Sequence, residues 1–144
     1  MDQTRVTLAD KAAIADLVHT YALNIRNRQP ERNEALFTAD AVFEVREADP
    51  MQPDTMMVRS RSQGLAAVMQ SVCASTARNR VFPAIHNLIV TLNGDQAEAS
   101  SLMIATVFPG GHEMLGEYDD RFRREQQGWR FAARTYTIYR EAQI

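Results

Sequence analysis

The chain has 144 residues, 45% of them hydrophobic and 24% charged, with a formal net charge of −2 and a pI near 5.9. A chain of this length fits a single domain, spanning 1–144, that buries roughly 70% of its unfolded surface. The slight net acidity argues against a broad nucleic-acid or membrane-binding surface. One cysteine, Cys73, excludes an internal disulfide. Without a signal-like start or a membrane-spanning apolar run, we expect a soluble cytoplasmic protein.

The first part of the chain predicts helices followed by a strand. A helix is expected to begin near Thr7, and Pro30 is expected to open a shorter second helix. The segment "AVFEV" at 41–45 has the β-branched and aromatic composition of a strand. The first helix carries one apolar stripe at helical spacing, formed by Ile14, Leu17, Val18, Tyr21 and Ile25.

The middle of the chain predicts a loop and a third helix. Residues 47–57, "EADPMQPDTMM", contain prolines and acids without periodicity, which predicts an irregular loop and a candidate lid. Ser62 is expected to cap a helix that carries Leu65, Val68 and Val72 on its apolar face.

The second half predicts an antiparallel meander. Strands are expected at about 81–92 and 97–108, joined by Asn93-Gly94, which is a strong hairpin signal. The segments "PGG" at 109–111 and "QQG" at 126–128 predict the next two turns. Helices followed by a long antiparallel sheet predict an α+β fold, with the helices packed on one face of a curved sheet.

Strand alternation places polar groups on inward faces of the predicted sheet. Phe82, His86 and Leu88 share one face of their strand, and Tyr118 shares the inward face of a later strand with Asp120. A buried polar group without a partner costs roughly 1–3 kcal/mol. His86, Asp120 and the helical Tyr21 therefore each have two interpretations: a core residue with a satisfied polar group, or a group that faces an enclosed site.

The sequence contains no motif for metal binding, phosphate binding or covalent catalysis. His19, His86 and His112 lack metal-ligand spacing, and His19 and His112 are expected to be solvated. There is no glycine-rich phosphate loop and no nucleophile elbow. We therefore expect neither a metal nor another cofactor.

Four segments together resemble the SnoaL-like branch of the NTF2-like superfamily: "YALNIRNR…EALFTADAVFEV", "SQGLAAVM", "IHNLIVTLNGDQAEASS" and "GEYDDRFRREQQGWRFAAR". The resemblance extends from about residue 8 to residue 139. It implies a cone in which three N-terminal helices close a strongly curved, mostly antiparallel sheet around an apolar pocket, usually in a dimer. The function stays open, because this fold carries dehydratases, isomerases and non-catalytic subunits.

Relatives within the superfamily imply roles for individual positions. The scytalone and bile-acid dehydratases resemble the chain at a pocket tyrosine (Tyr21), a strand histidine (His86) and, in the bile-acid group, a late arginine (Arg134). Arg26 stands where their carboxylate is expected. It either contacts an anionic substrate in the pocket or is solvated at the helix end, where the helix dipole favours a cation.

The ketosteroid isomerases give a second partial match. They resemble the chain at Tyr21 and Asp120, the positions of their oxyanion-binding tyrosine and protonated aspartate. Their general base falls at Val45, which cannot transfer a proton.

These resemblances imply a cofactor-independent dehydratase or isomerase that acts by proton abstraction on a polycyclic or aromatic hydroxy or keto compound. The implied catalytic residues are Tyr21, His86 and Asp120, and the implied substrate contacts are Arg26, Phe82, Tyr118 and Arg134. The alternative is a non-catalytic ligand-binding or accessory subunit, because Arg26 replaces the usual carboxylate partner of the histidine.

Two partners are expected for such a protein. The first is a small apolar ligand. The second is another copy of the chain, bound through the outer face of the sheet, where alternation places Ile85, Ile89, Leu102 and Ile104.

Overall fold

A computed structural model describes residues 2–74 and 78–143 of the chain. One six-stranded sheet is covered on its inner face by helices. The elements, in chain order, are α1 (Gln3–Arg26), a 3₁₀ helix (Pro30–Leu36), β1 (Phe37–Asp49), β2 (Gln52–Gln63), α2 (Leu65–Ala74), β3 (Arg80–Asn93), β4 (Gln96–Phe108), β5 (His112–Glu125) and β6 (Gly128–Gln143).

The strand order is β2-β1-β6-β5-β4-β3. All neighbouring strands are antiparallel except β1 and β6, which are parallel. The predicted α+β class with a curved, mostly antiparallel sheet is confirmed. The predicted count of three N-terminal helices is not exact, because the second helix is a 3₁₀ helix and α2 follows the first two strands.

The first helix begins earlier than its apolar pattern suggested. Asp2 is the N-cap, and its Oδ1 accepts a hydrogen bond from the Thr4 backbone N–H at 3.2 Å. At the other end Arg28 has a left-handed backbone with φ of 59°. The predicted apolar stripe of α1 is buried against the sheet. A buried hydrogen bond of 2.8 Å from Asn24 to Asn33 ties α1 to the 3₁₀ helix.

The loop predicted at 47–57 was wrong, because these residues form the β1–β2 hairpin. Ala48 pairs with Met56 and Glu47 with Met57 across the hairpin. Strand β2 lies at the edge of the sheet and is exposed along almost its whole length. It contains a proline, which an edge strand tolerates because one of its sides needs no ladder hydrogen bonds. Ser62 lies in β2 and does not cap α2, which starts after Gly64.

Burial along β3 changes phase in the middle of the strand. Val81 and Ile85 face inward, and so does Leu88, although its position has the opposite parity. The strand pairing shifts between His86 and Ile89, and Asn87 has φ of 52°. This is a β-bulge, in which an extra residue interrupts the alternation. His86 therefore does not share a face with the inward row of Leu88, and the expectation of one continuous face was wrong.

The residues expected on the outer face of the sheet do not all lie there. Ile89 and Leu102 are exposed there, with 57% and 40% of their surfaces accessible. Ile85 instead packs against the core inside the sheet. The homodimer through the outer face stays a prediction, with Ile85 removed from its surface. Among the described residues, no helix is long and apolar enough to span a membrane.

Candidate functional site

A cavity of about 440 Å³ lies between the last turns of α1, helix α2 and the inner face of the sheet. Its walls are mainly apolar, which suits a ligand with a hydrophobic body. The apolar walls include Ile25, Phe43, Val45, Ile85, Met103 and Ile138.

Three tyrosines from three different elements line the cavity. Tyr21 comes from α1, Tyr118 from β5 and Tyr136 from β6. The ring centroids of Tyr21 and Tyr118 are 6.5 Å apart in an edge-to-face arrangement, and those of Tyr118 and Tyr136 are 5.0 Å apart. Burial raises the pKa of both Tyr21 and Tyr118 above its ordinary value. Both phenols therefore stay protonated at neutral pH and can donate hydrogen bonds to a ligand oxygen.

A buried ion pair lies behind these tyrosines. Nε of Arg134 is 3.0 Å from Oδ1 of Asp120, and both side chains are fully buried. The centre of the guanidinium lies 3.4 Å from the ring centroid of Tyr118 and 4.4 Å from that of Tyr21. Stacking on aromatic rings compensates part of the cost of burying the cation.

The carboxyl of Asp120 is a weaker acid than that of an exposed aspartate. Burial raises the pKa of Asp120 to about 6, although the Arg134 guanidinium acts in the opposite direction. Neither Asp120 nor Arg134 lines the cavity. The pair can therefore reach a ligand only through the tyrosine rings that cover it.

Besides Asp120 and Arg134, three further predicted site residues lie outside the cavity. His86 and Phe82 are exposed on the outer side of β3, on the far side of the bulge described above. Arg26 is exposed at the last residue of α1, and its carbonyl oxygen accepts a hydrogen bond of 3.0 Å from Nε of Arg80. Of the group formed by Tyr21, His86 and Asp120, only Tyr21 reaches the cavity.

The cavity instead contains His112, which was expected to be solvated. His112 is the first residue of β5, is partly buried and lines the cavity together with Met114 and Tyr118. Alternation along β5 predicts this position, because residues 112, 114 and 118 are separated by even numbers of residues and face the same side. The glycine turn before His112 had instead predicted that its side chain is solvated.

Other polar groups lie at the wall. Arg59 extends to the cavity from the exposed strand β2, and Ser71 and Asn79 also line it. No aspartate or glutamate is among the described residues that line the cavity. Within residues 2–74 and 78–143 no group of three metal-ligating side chains occurs.

Comparisons with solved structures identify the same architecture. A protein described as a scytalone dehydratase from Novosphingobium aromaticivorans superposes with a TM-score of 0.79 at 17% identity, covering 99% of this chain and 92% of its own. A protein described as the β subunit of an aromatic-ring-hydroxylating dioxygenase from the same species gives a TM-score of 0.77 at 20% identity, covering 94% and 92%.

An NTF2-like protein with a cystatin-like fold, also from Novosphingobium aromaticivorans, gives a TM-score of 0.73 at 19% identity, covering 95% of this chain and 90% of its own. At these identities the likeness concerns the fold alone. No curated protein matches the sequence. The family model of the SnoaL-like domain matches residues 6–135, which is most of the chain, so the protein belongs to the SnoaL-like domain family and has an NTF2-like fold.

Proposed function

We propose that the protein binds a polycyclic or aromatic keto or hydroxy compound in its cavity and catalyses dehydration or isomerisation by proton transfer, without a cofactor. The observation that carries this proposal is the composition of the cavity. A mainly apolar space of about 440 Å³ is lined by three tyrosines and by one histidine. Apolar walls with a few convergent polar groups are typical of small-molecule sites.

Each polar group has a role in this proposal. Tyr21 and Tyr118 donate hydrogen bonds to a ligand carbonyl oxygen, where negative charge develops when a neighbouring C–H bond is broken. His112 accepts that proton, and the electron pair of the C–H bond forms the double bond of the enolate. In dehydration the enolate re-forms the carbonyl and expels the β-hydroxyl group, which takes a proton from His112 and leaves as water.

The role of His112 replaces the role that family resemblance gave to His86. A proton acceptor must come within hydrogen-bonding reach of the substrate, and His112 lines the cavity whereas His86 is exposed outside it. Asp120 and Arg134 act indirectly, by holding the rings of Tyr21 and Tyr118 from behind. The name of the scytalone dehydratase among the structural neighbours supports an elimination of water as the reaction class.

A fused-ring β-hydroxyketone offers a direct test. Dehydration of 3-hydroxy-1-tetralone gives 1-naphthol, whose fluorescence reports turnover. We expect the wild-type protein to accelerate this reaction. His112→Gln should lower kcat by at least about 100-fold, the usual contribution of a general base. Tyr21→Phe should lower kcat by roughly 100-fold, the usual contribution of one oxyanion donor.

Two further histidine variants make this test specific. His19 is exposed on α1, so His19→Gln is a matched control that should keep the wild-type kcat. His86→Gln tests the role implied by the resemblance. A large loss of activity in His86→Gln, together with normal activity in His112→Gln, would contradict the proposed mechanism.

A second function is supported by a separate observation. No carboxylate is among the described residues that line the cavity, so the lining offers no acidic side chain to a substrate. This favours a protein that binds its ligand without converting it, and the dioxygenase β subunit among the neighbours supports an accessory role. Binding of 1-tetralone, seen as a rise in Tm, without turnover of the hydroxyketone would select this second function.

A further inference from the structure

A second depression, of about 390 Å³, lies on the outer side of the rim of the cavity. We call it the arginine groove, because three of the residues that line it are arginines. Its lining consists of Arg28, Arg78, Arg80, Phe82, Phe108 and Pro109.

The arginine groove and the cavity are formed by the same two chain segments. Asn79 lines the cavity, whereas Arg78 and Arg80 on either side of it line the groove. In the other segment, Val107 and Gly110 line the cavity, and the two residues between them line the groove. The two depressions are therefore separated only by the thickness of these segments. A ligand that occupies both would have to pass over these segments with a flexible arm.

The charge of the groove is not neutralised locally. In the part of the chain that the structure describes, no carboxylate forms an ion pair with Arg28, Arg78 or Arg80. The C-terminus of α1 lies beside Arg80, whose Nε donates to the Arg26 carbonyl oxygen at 3.0 Å. A helix C-terminus contributes only about half a negative charge. Three guanidiniums therefore leave a strong positive excess in a protein whose net charge is −2.

The backbone at Arg28 supports a function for its side chain. Arg28 follows the C-cap Asn27 of α1 and has φ of 59°. Glycine is the usual residue at this position, because it adopts the left-handed conformation without steric cost. An arginine in such a conformation is strained, and strained residues concentrate at binding sites.

Two phenylalanines give the groove apolar walls. Phe82 and Phe108 have 39% and 64% of their surfaces exposed, and the guanidinium of Arg80 lies 5.1 Å from the ring centroid of Phe82. Solvent-exposed aromatic rings beside unpaired cations fit a ligand segment that combines an apolar arm with an anionic end.

We propose that the arginine groove binds the oxyanion, a carboxylate or a phosphate, of the same molecule whose ring system occupies the cavity. This inference rests on the proposed function and narrows the ligand to a ring compound with an anionic side chain. Guanidinium groups suit either anion, because their planar N–H donors match the oxygens of both.

Three matched probes test the proposal by calorimetry: 6-(2-naphthyloxy)hexanol, 6-(2-naphthyloxy)hexanoate and 6-(2-naphthyloxy)hexyl phosphate. They share the ring and the arm and differ only in the end group. We expect the two anions to bind the wild-type protein roughly fivefold more tightly than the alcohol, the effect of a few exposed charge pairs. This advantage should shrink as sodium chloride rises from 50 to 300 mM, because salt screens exposed charges.

The double variant Arg28→Gln/Arg78→Gln should remove the advantage of the anions and leave the Kd of the alcohol unchanged. Arg5→Gln/Arg121→Gln is the matched control, because it removes the same charge from exposed residues outside the groove. The control should keep the advantage. A larger gain for the phosphate would identify phosphate as the anion, a larger gain for the carboxylate would identify carboxylate, and equal gains would show that the groove binds either anion.

Two outcomes overturn the proposal in distinguishable ways. If the alcohol binds and the anions bind no more tightly, or if their advantage persists in the double variant, the cavity retains its function and the groove does not bind the anion. If the anions bind through the arginines but the alcohol does not bind, the ring does not occupy the cavity, and one molecule does not span both depressions.

Discussion

The sheet has a packed half and a hollow half, and both are lined by inward-facing side chains of the same strands. In the packed half, rings fill the space under α1, with the centroids of Phe122 and Phe131 4.8 Å apart and Trp129 buried beside them. In the hollow half, Met103, Tyr136 and other wall residues surround the cavity. Strand alternation alone does not decide between core and site. The covering elements and the size of the side chains decide it.

The boundary between the two halves is the Asp120–Arg134 pair. The guanidinium of Arg134 lies 4.8 Å from the ring centroid of Phe131 on the packed side and 3.4 Å from that of Tyr118 on the hollow side. A buried ion pair contributes little to stability, because desolvation offsets the attraction of the charges. Its position directly behind the cavity tyrosines suggests that it fixes their orientation.

The largest expected effect is on stability in the packed half. Phe131→Ala should lower the free energy of unfolding by roughly 4 kcal/mol, because the deleted ring leaves a cavity in a filled core. Ile138→Ala in the hollow half should cost only about 2 kcal/mol, since Ile138 already borders open space. Urea denaturation measures both losses. Equal losses would show that the hollow half is packed as tightly as the other.

The next effect concerns the boundary and depends on pH. The Asp120 carboxyl has a pKa near 3.8 when unfolded and, because of burial, about 6 when folded. Between pH 3.8 and pH 6, Asp120 is therefore protonated in the folded protein and ionised in the unfolded chain. This contribution to stability is present below pH 3.8 and is lost as pH rises through 6.

Asp120→Asn removes this titration, because asparagine stays neutral. The unfolding free energy of the variant relative to wild type should rise by roughly 2–3 kcal/mol between pH 4 and pH 7, whatever the offset at pH 4. Asp54→Asn, on the exposed edge strand β2, is the control for net charge. A relative stability that falls toward neutral pH would show that Arg134 outweighs burial and that the carboxyl is ionised.

The sequence predicted the fold better than the site, for physical reasons that individual residues show. Helical and strand periodicity, together with Asn93-Gly94, report local structure, and the segments they predicted were mostly correct. The position of His86 depends on a β-bulge at Asn87. The sequence does not indicate this bulge, because the residue with the left-handed backbone is an asparagine and not a glycine. Arg26 was placed by analogy with relatives and Phe82 by strand alternation, and one change of helix-end geometry or strand phase is enough to move such residues outside a cavity.

Residues in the packed half were easier to predict, because apolar periodicity reports burial directly. Whether a buried group faces a neighbouring side chain or open space is decided by contacts between distant segments. Tyr118 and Asp120 have the same parity on β5, yet one lines the cavity and the other lies behind it. Single-residue spacing cannot separate these two cases.

The smallest expected effect comes from adding one methyl group at Gly116, beside the cavity residue Tyr136. Gly116 pairs with Ile138 at the β5–β6 register shift, and a Cβ added there would overlap the Tyr136 ring and the Thr137 carbonyl oxygen. Gly116→Ala should therefore force the ring to move and cost about 2 kcal/mol, a typical penalty for overpacking. The displaced ring should also weaken the binding of 2-naphthol in the cavity.

The matched control for this variant is Gly110→Ala. Gly110 lines the cavity, and an added Cβ there meets no atom within 4 Å. It should leave both the urea midpoint and the Kd for 2-naphthol close to their wild-type values. If Gly116→Ala lowered stability and left 2-naphthol binding unchanged, the wall formed by Tyr136 would be flexible, and the hollow half would adapt to its ligand. If both properties changed together, the size of the cavity would be fixed by the close approach of β5 to the tyrosine ring.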